Sequence, residues 1–333
     1  MNVIINDMID LKVNIMKRLA IITSGGDAPG MNACLRAVVR GCLNNGIEPF
    51  VVYDGYKGLV EGKILQVHRR FVSEILNRGG TIIGTARLPE FTEFEVREKA
   101  ISNLKSLGIN DLVVIGGDGS FRGAIDLENM GLNVIGICGT IDNDINCSGY
   151  TIGFDSALNT IVDCIDKIRV TSSSHTRCSI VEVMGRHCGD LALYASLACG
   201  ADILIDANTG FDFDKIVEDV KRMKHEGRKH VIIVVSENIL DVHEFAKNVE
   251  KATGFESRAT ILGHLQRGGV PSAMDRVTGS ILGYKAIELL TNKESGKMVY
   301  FLDNHVYTKP LGEVVKPREI NYMDLYKINE IIG

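Results

Sequence analysis

Three glycine-bearing turns carry acids where a phosphate cradle would ordinarily carry none. GTIDND, residues 139–144, sets Asp142 and Asp144 two residues apart, and IGGDGS, residues 115–120, sets Asp118 inside a glycine run. A third turn, TSGGDAPGMN at 23–32, offers Gly25 and Gly26 ahead of Pro29, a residue suited to the first turn of a helix. Glycines let backbone N–H groups approach an anion, and a helix start favours negative charge. A carboxylate in such company either reaches phosphate through a metal or takes a proton from an attacking hydroxyl. Aligned donors, Mg²⁺ and a base are the parts of phosphoryl transfer. One GGD turn alone could be a tight turn with a capping Asp, so the reading rests on all three. Neither the P-loop lysine pattern nor G-x-G-x-x-G is present, so an ordinary P-loop or dinucleotide fold is a weak reading.

The elements that must position these turns are short β-branched runs. LAIIT (19–23), PFVVY (49–53), DLVVIG (111–116), NVIGI (133–137), CSIVEV (178–183), ADILI (201–205) and HVIIVV (230–235) alternate with helix-length segments. ACLRAVVRGCL follows TSGGDAPGMN and FRGAIDLENM follows IGGDGS, both as helices. Continuously apolar strands imply mostly parallel sheets covered on both faces, a three-layer α/β architecture. Ligands then sit beyond the carboxyl ends of the strands, where the glycine turns fall. The chain has 333 residues, 45% hydrophobic and 24% charged, enough for one large or two medium domains. No Pro-rich or Ser-rich linker separates them. A net charge of -5 with dispersed cations excludes a nucleic-acid footprint. No stretch reaches the ~20 apolar residues of a membrane span. Eight cysteines without a CxxC pair read as free buried thiols in a reducing compartment. The N-terminal MNVIINDMIDLKVNI has no signal-peptide organisation, so residues 1–15 read as an extension and the protein as cytoplasmic.

The motifs TSGGDAPGMN, GGTIIGTARLPEF, VVIGGDGSFRGA, GTIDNDI, TIGFDSALNT, EVMGRHCGDLAL, ATGFESRATILGHLQRGG and DRV occur in that order. In sequence and spacing they resemble the bacterial 6-phosphofructokinases, over residues 17 to 333. The resemblance implies ATP-dependent phosphorylation of fructose 6-phosphate, with Mg²⁺ as cofactor, in a homotetramer whose active sites are shared. It implies two α/β/α domains: a larger one, 16–153 plus 266–319, for ATP and Mg²⁺, and a smaller one, 154–265 plus 320–333, for sugar phosphate and effector. Asp142 matches the general base, Asp144 an orienting or metal-facing acid, Thr140 a holder of the transferred phosphoryl and Arg87 the cation that neutralises it. ATP would meet Gly26, Tyr56, Arg87, Leu88, Gly117, Asp118, Gly119 and Ser120, with Asp118 on the metal. The sugar would meet Thr140, Ile141, Asp142, Met184, Gly185, Arg186, Glu237, His264, Leu265, Gln266 and Arg267, with Arg177 and Arg258 coming from a neighbouring subunit. Arginine suits these positions because its planar fork pairs two phosphate oxygens.

The resemblance also implies an effector site for ADP or phosphoenolpyruvate built from Arg36, Arg40, Arg169, Asp202, Arg228, Lys229 and His230. Glu226 stands where regulated members carry a cation, and Asp202 is one methylene shorter than the usual acid. Both departures imply a weaker or different effector. His187 and Cys188 lack further ligands at metal spacing and read as structural. Cys138 replaces a usual proline before GTIDND, which allows a reactive thiol there. Pyrophosphate-using relatives commonly carry an acid after GGD and a lysine before TIDND; Gly119 and Gly139 here favour ATP. NAD kinases lack the MGRH and GHLQR motifs, and a non-catalytic regulatory subunit would not keep Asp118, Asp142 and Arg87. Tagatose 6-phosphate is left open as a side substrate.

Overall fold

A computed structural model describes residues 17–146, 149–316 and 322–333. The N-terminal extension expected at 1–15 lies outside them. The chain opens with β1 (Arg18–Thr23), α1 (Met31–Asn44), β2 (Glu48–Val52), α2 (Gly55–Glu61) and β3 (Ile64–Gln66). After a long irregular stretch come α3 (Phe94–Ser106), β4 (Asp111–Gly116), α4 (Asp118–Asn129), β5 (Asn133–Thr140) and β6 (Ile152–Gly153). Next are α5 (Phe154–His175), β7 (Arg177–Val183), α6 (Asp190–Cys199), β8 (Ile203–Ile205), α7 (Phe213–His225), β9 (His230–Ser236), α8 (Val242–Thr253) and β10 (Glu256–Ile261). The chain closes with α9 (Ala273–Thr291), β11 (Lys297–Leu302), β12 (His305–Pro310), α10 (Leu311–Val314) and α11 (Met323–Ile332).

Two sheets result. The larger runs β12-β11-β5-β4-β1-β2-β3, with β6 beside β5, and the smaller runs β10-β7-β9-β8. All pairings of the smaller sheet are parallel; in the larger, only β2 with β3 and β11 with β12 are antiparallel. The expected mostly parallel α/β architecture is therefore present. Its strands are buried on both faces because helices cover them: every residue of β4 is buried.

The seven strands read from the sequence all form, although β8 begins only at Ile203. β3, β6, β10, β11 and β12 were not anticipated. β10, ESRATI, is an edge strand with a half-exposed face, so its sequence lacks a continuous apolar run. Pro29 does not sit in the first turn of α1. Gly30, at φ 102°, is the cap residue, so the helix begins only at Met31. α4 begins earlier than expected, at Asp118, which puts Asp118, Gly119 and Ser120 in its first turn.

One hydrophobic core runs continuously from the large sheet into one face of the small one, joining Val113 and Ile137 to Leu193 and Val234. A separate core, including Ile180, Ile233, Val249 and Phe255, fills the other face of the small sheet. The shared core holds the carboxyl ends of β4, β5 and β7 in fixed relation. These are the strand ends that carry the acid turns and the MGRH loop.

Candidate active site

β4 and β5 pair in register, Gly116 opposite Cys138, so the GGDGS and GTIDND turns leave the same sheet edge side by side. Thr140, the last residue of β5, accepts a hydrogen bond on Oγ1 from the Asp142 amide at 3.2 Å. Asp142 is 3% exposed. Its Oδ1 has no hydrogen-bond partner among the described residues, and its Oδ2 stands 4.0 Å from Nη2 of Arg267. Burial, reinforced by Asp144, pushes its carboxyl up to about 6, with Arg267 opposing. A buried, unsatisfied acid is costly, so one held in a cleft is a candidate base. Burial also raises the Asp144 carboxyl, against the pull of Arg186, whose Nη1 lies 3.3 Å from Asp144 Oδ2; Asp118 adds to the rise.

The cationic arm comes from the small-sheet side. A Cβ on Gly26 would fall 2.3 Å from Nη1 of Arg267, so only glycine lets this guanidinium reach the TSGG turn. There Nη1 donates to the Asp27 carbonyl at 3.0 Å. Gln266, fully buried, accepts from the Met184 amide at 3.0 Å and so ties GHLQR to MGRH. Gly185 at φ 136° and Arg186 at φ 55° turn that loop sharply, and both amides donate to Glu237 Oε1, at 3.1 and 2.7 Å. Glu237 thus supports the loop with one oxygen; Oε2 makes no hydrogen bond among the described residues. His264 and Leu265 are exposed in the short 3₁₀ turn Gly263–Arg267, and Ile141 is buried between the turn acids and the core.

On the opposite side, Asp118 and Asp144 line one cavity of about 480 Å³ together with Arg122, Arg186, Asp190 and Tyr322. Arg122 grips the Asp118 carboxylate with two donors, at 3.1 and 3.3 Å, and donates to the Val315 carbonyl at 3.0 Å. Among the described residues a Cβ on Gly119 would meet nothing within 4 Å, whereas one on Gly139 would press Met31 at 3.1 Å. Gly117 caps α4, and Ser120 is buried beneath it. Tyr56 is buried too, stacked on Phe91, its hydroxyl donating to the Ser120 carbonyl at 2.6 Å. It props the turn from below. Arg87 is exposed and Leu88 half-buried on a loop pinned by Thr85, whose hydroxyl donates to Gly25 at 2.7 Å. Two oxygen-bearing acids facing one cavity suit a hard cation such as Mg²⁺. No convergence of three or more His, Cys, Asp or Glu ligands occurs among the described residues.

Arg177 and Arg258 do not join this cluster. Arg177 begins β7, six residues before Val183 and so about 20 Å along the strand from the MGRH end. Both arginines converge on Glu256, at 3.0 and 2.6 Å, and Arg258 lines a groove of about 840 Å³ along α8 and β10. The expected effector residues form a further group. Arg228 is paired with Asp202, which also accepts from the Ile232 amide at 2.8 Å; Arg169 contacts the carbonyls of Cys199 and Gly200 and lies 3.1 Å from His230 Nε2. Arg36 and Arg40 sit half-buried on α1, and Lys229 is exposed. Glu226 reaches Arg222 at 4.0 Å.

Cys138 is 0% exposed, which corrects the expectation of a reactive thiol before GTIDND: the β5 backbone and the core close over it. Cys34, Cys42, Cys164, Cys178 and Cys199 are free thiols. His187 is exposed, and Cys188 donates to Asp190 at 3.1 Å. Sequence reasoning missed Arg122, Asn143 and Asn32. Arg122 stands four residues after Asp118, helical ion-pair spacing that could have found it. Asn143 lies between the two turn acids, and nothing in its type alone marked it.

Parallel α/β layers and an acid cluster flanked by glycine turns and arginines define a phosphoryl-transfer enzyme of the three-layer class. Residues 18–290 match the profile of the family described as phosphofructokinase. The chain is 50% identical over 317 residues to an ATP-dependent 6-phosphofructokinase of Vibrio parahaemolyticus, covering 95% of this chain and 99% of that protein. It is 52% identical over 318 residues to ATP-dependent 6-phosphofructokinase 1 of Clostridium perfringens, covering 96% of this chain and 100% of that one. A solved phosphofructokinase structure from Saccharomyces cerevisiae superposes with a TM-score of 0.87 at 35% identity, over 94% of this chain and 50% of the yeast one, so this chain spans half the yeast chain's length. This chain belongs to the phosphofructokinase family.

Proposed function

We propose that the protein is an ATP-dependent 6-phosphofructokinase that transfers the γ-phosphoryl group of ATP to the 1-hydroxyl of fructose 6-phosphate. The observation that carries the mechanism is Asp142: buried, raised to about 6, with Oδ1 unpartnered among the described residues. Such a group is mostly ionised at neutral pH yet basic enough to take the sugar hydroxyl proton as the P–O bond forms. Thr140 and Arg87 hold the transferred phosphoryl. Arg267, Arg186, His264, the Met184–Gly185 backbone and Glu237 hold the sugar. Asp118 and Asp144 would hold Mg²⁺, which when bound would neutralise charge on the phosphate oxygens. The open space beside Gly119 supports ATP over pyrophosphate as donor. The test is a coupled assay with fructose 6-phosphate, Mg²⁺ and either ATP or pyrophosphate. Product with ATP is expected; no ATP-dependent product overturns the proposal.

The larger domain is read as residues 16–153 plus 266–319 and the smaller as 154–265 plus 320–333, with catalysis between them. The enzyme acts in the cytoplasm as a homotetramer; among the described residues no helix is long and apolar enough to cross a membrane. The Asp202–Arg228 pair supports a weakened effector site, because the cation is already neutralised. Saturation curves for fructose 6-phosphate with and without ADP or phosphoenolpyruvate should respond to at most one of them. Strong responses to both would contradict it.

A further inference from the structure

Asn143 separates the two turn acids, and its side chain is engaged on every side. At φ 53° it occupies the left-handed region, which Asn tolerates better than other side-chain-bearing residues. Its Oδ1 accepts the Thr151 amide at 2.9 Å. Its Nδ2 donates to the Gly149 carbonyl at 3.1 Å and to Asp190 Oδ2 at 2.8 Å. Thr151 in turn donates its hydroxyl to the Thr140 carbonyl at 2.6 Å, closing the turn on the strand that launches it.

Asp190 is the first residue of α6, where the helix N-terminus favours its charge. It is 3% exposed and receives the Tyr322 hydroxyl at 3.1 Å as well as Asn143. Tyr322 caps α11 and packs edge-on against Tyr194, centroids 6.1 Å apart. A chain of hydrogen bonds therefore runs from α11 through α6 to the residue between Asp142 and Asp144. The reach of a carboxylate is set by the backbone that carries it, and an error of about 1 Å in such placement costs roughly a hundredfold in rate.

We propose that Asn143, Asp190 and Tyr322 form a positioning relay for phosphoryl transfer: they lock the turn so that Asp142 stays buried and aimed at the attacking hydroxyl. In this reading the three act through the turn that carries Asp142, although Asp190 and Tyr322 also line the cavity of Asp118 and Asp144. The inference rests on the reading of Asp142 as the base.

Asn143→Ala should lower kcat by about tenfold to a hundredfold, while KM for ATP and for fructose 6-phosphate changes by less than about threefold. Tyr322→Phe, which removes the bond to Asp190, should lower kcat by a smaller factor, again with both KM values nearly unchanged. The swapped pair Asn143→Asp with Asp190→Asn restores one hydrogen bond with its polarity reversed, and should recover part of the kcat that Asn143→Asp alone loses. Loss of kcat in proportion to loss of folded protein, with no recovery in the swapped pair, overturns the relay. Asp142→Asn is measured alongside. If it keeps turnover, the base reading fails; if it is inactive while Asn143→Ala behaves like the parent, only the relay fails.

Discussion

Asp142 is held in a state the fold would not choose on stability grounds. Its carboxyl moves from an ordinary 3.8 to about 6. A raised folded value means the native state binds the proton more tightly than the unfolded chain. Stability is therefore lost as pH rises between those values, on the order of 3 kcal/mol once both states are ionised. Asp142→Asn should remove that charge and raise the melting temperature at pH 8, with the gain shrinking as pH falls through 6 towards 4. Its kcat should drop by about 10²–10⁴ while ATP still binds. Chemical or thermal denaturation across pH, beside steady-state kinetics, checks both halves; a variant less stable than the parent at pH 8 would contradict the account. Gly119 tests the donor. Since a Cβ there meets nothing, Gly119→Asp should fold normally, yet raise KM for ATP far more than KM for fructose 6-phosphate. The acids were legible in the sequence because charge in a glycine turn is chemically conspicuous. Arg122 was not, because its meaning depends on the helix beginning at Asp118, and neither was Asn143, whose value lies in four contacts from Thr151, Gly149 and Asp190.

At the scale of elements, the buried parallel strands announced themselves through unbroken apolar runs, and the fold class followed. Edge and antiparallel pieces did not: β12, HVYTKP, alternates polar with apolar residues and depends on β11 for its place. The stretch from 67 to 88 is harder still, since it lacks regular structure yet, under the proposed function, has to present Arg87 to the transferred phosphoryl. Structureless loops of this length are usually functional and need side-chain anchors. Asn32, fully buried on α1, supplies them: Nδ2 donates to the carbonyls of Arg78 and Gly80 at 3.0 and 2.9 Å, and Oδ1 accepts the Ile82 amide at 2.9 Å. Thr23 adds a bond to the Gly84 carbonyl at 2.8 Å. Asn32→Ala leaves those backbone groups without side-chain partners, a cost of about 3 kcal/mol. Urea unfolding should show that loss. kcat should fall too, because the Arg87 loop would no longer be held against the TSGG turn; an active variant with parental stability would show the anchor to be dispensable.

At the scale of the whole molecule, the arginines expected to bind sugar phosphate divide into two sets that one chain does not bring together. Arg186 and Arg267 stand at the acids, while Arg177 and Arg258 lie at the far end of β7 and on β10, converging on Glu256. β10 is one edge of the small sheet, and exposed edges are places where chains meet. If Arg258 completes a neighbour's site, then Asp142 and Arg258 of any one working site belong to different chains. Asp142→Asn and Arg258→Ala homo-oligomers should each be nearly inactive. Mixing and reassembling them should restore activity, because some sites then combine an intact Asp142 from one chain with an intact Arg258 from the other. With random assembly of equal amounts, about a quarter of sites would hold both native residues, so recovery should approach a quarter of the parental rate. Mixing Asp142→Asn with Asp142→Asn/Arg258→Ala should recover nothing, since no site regains its base. Activity that stays at the level of the separate variants after verified subunit exchange would place both residues in the same chain's site.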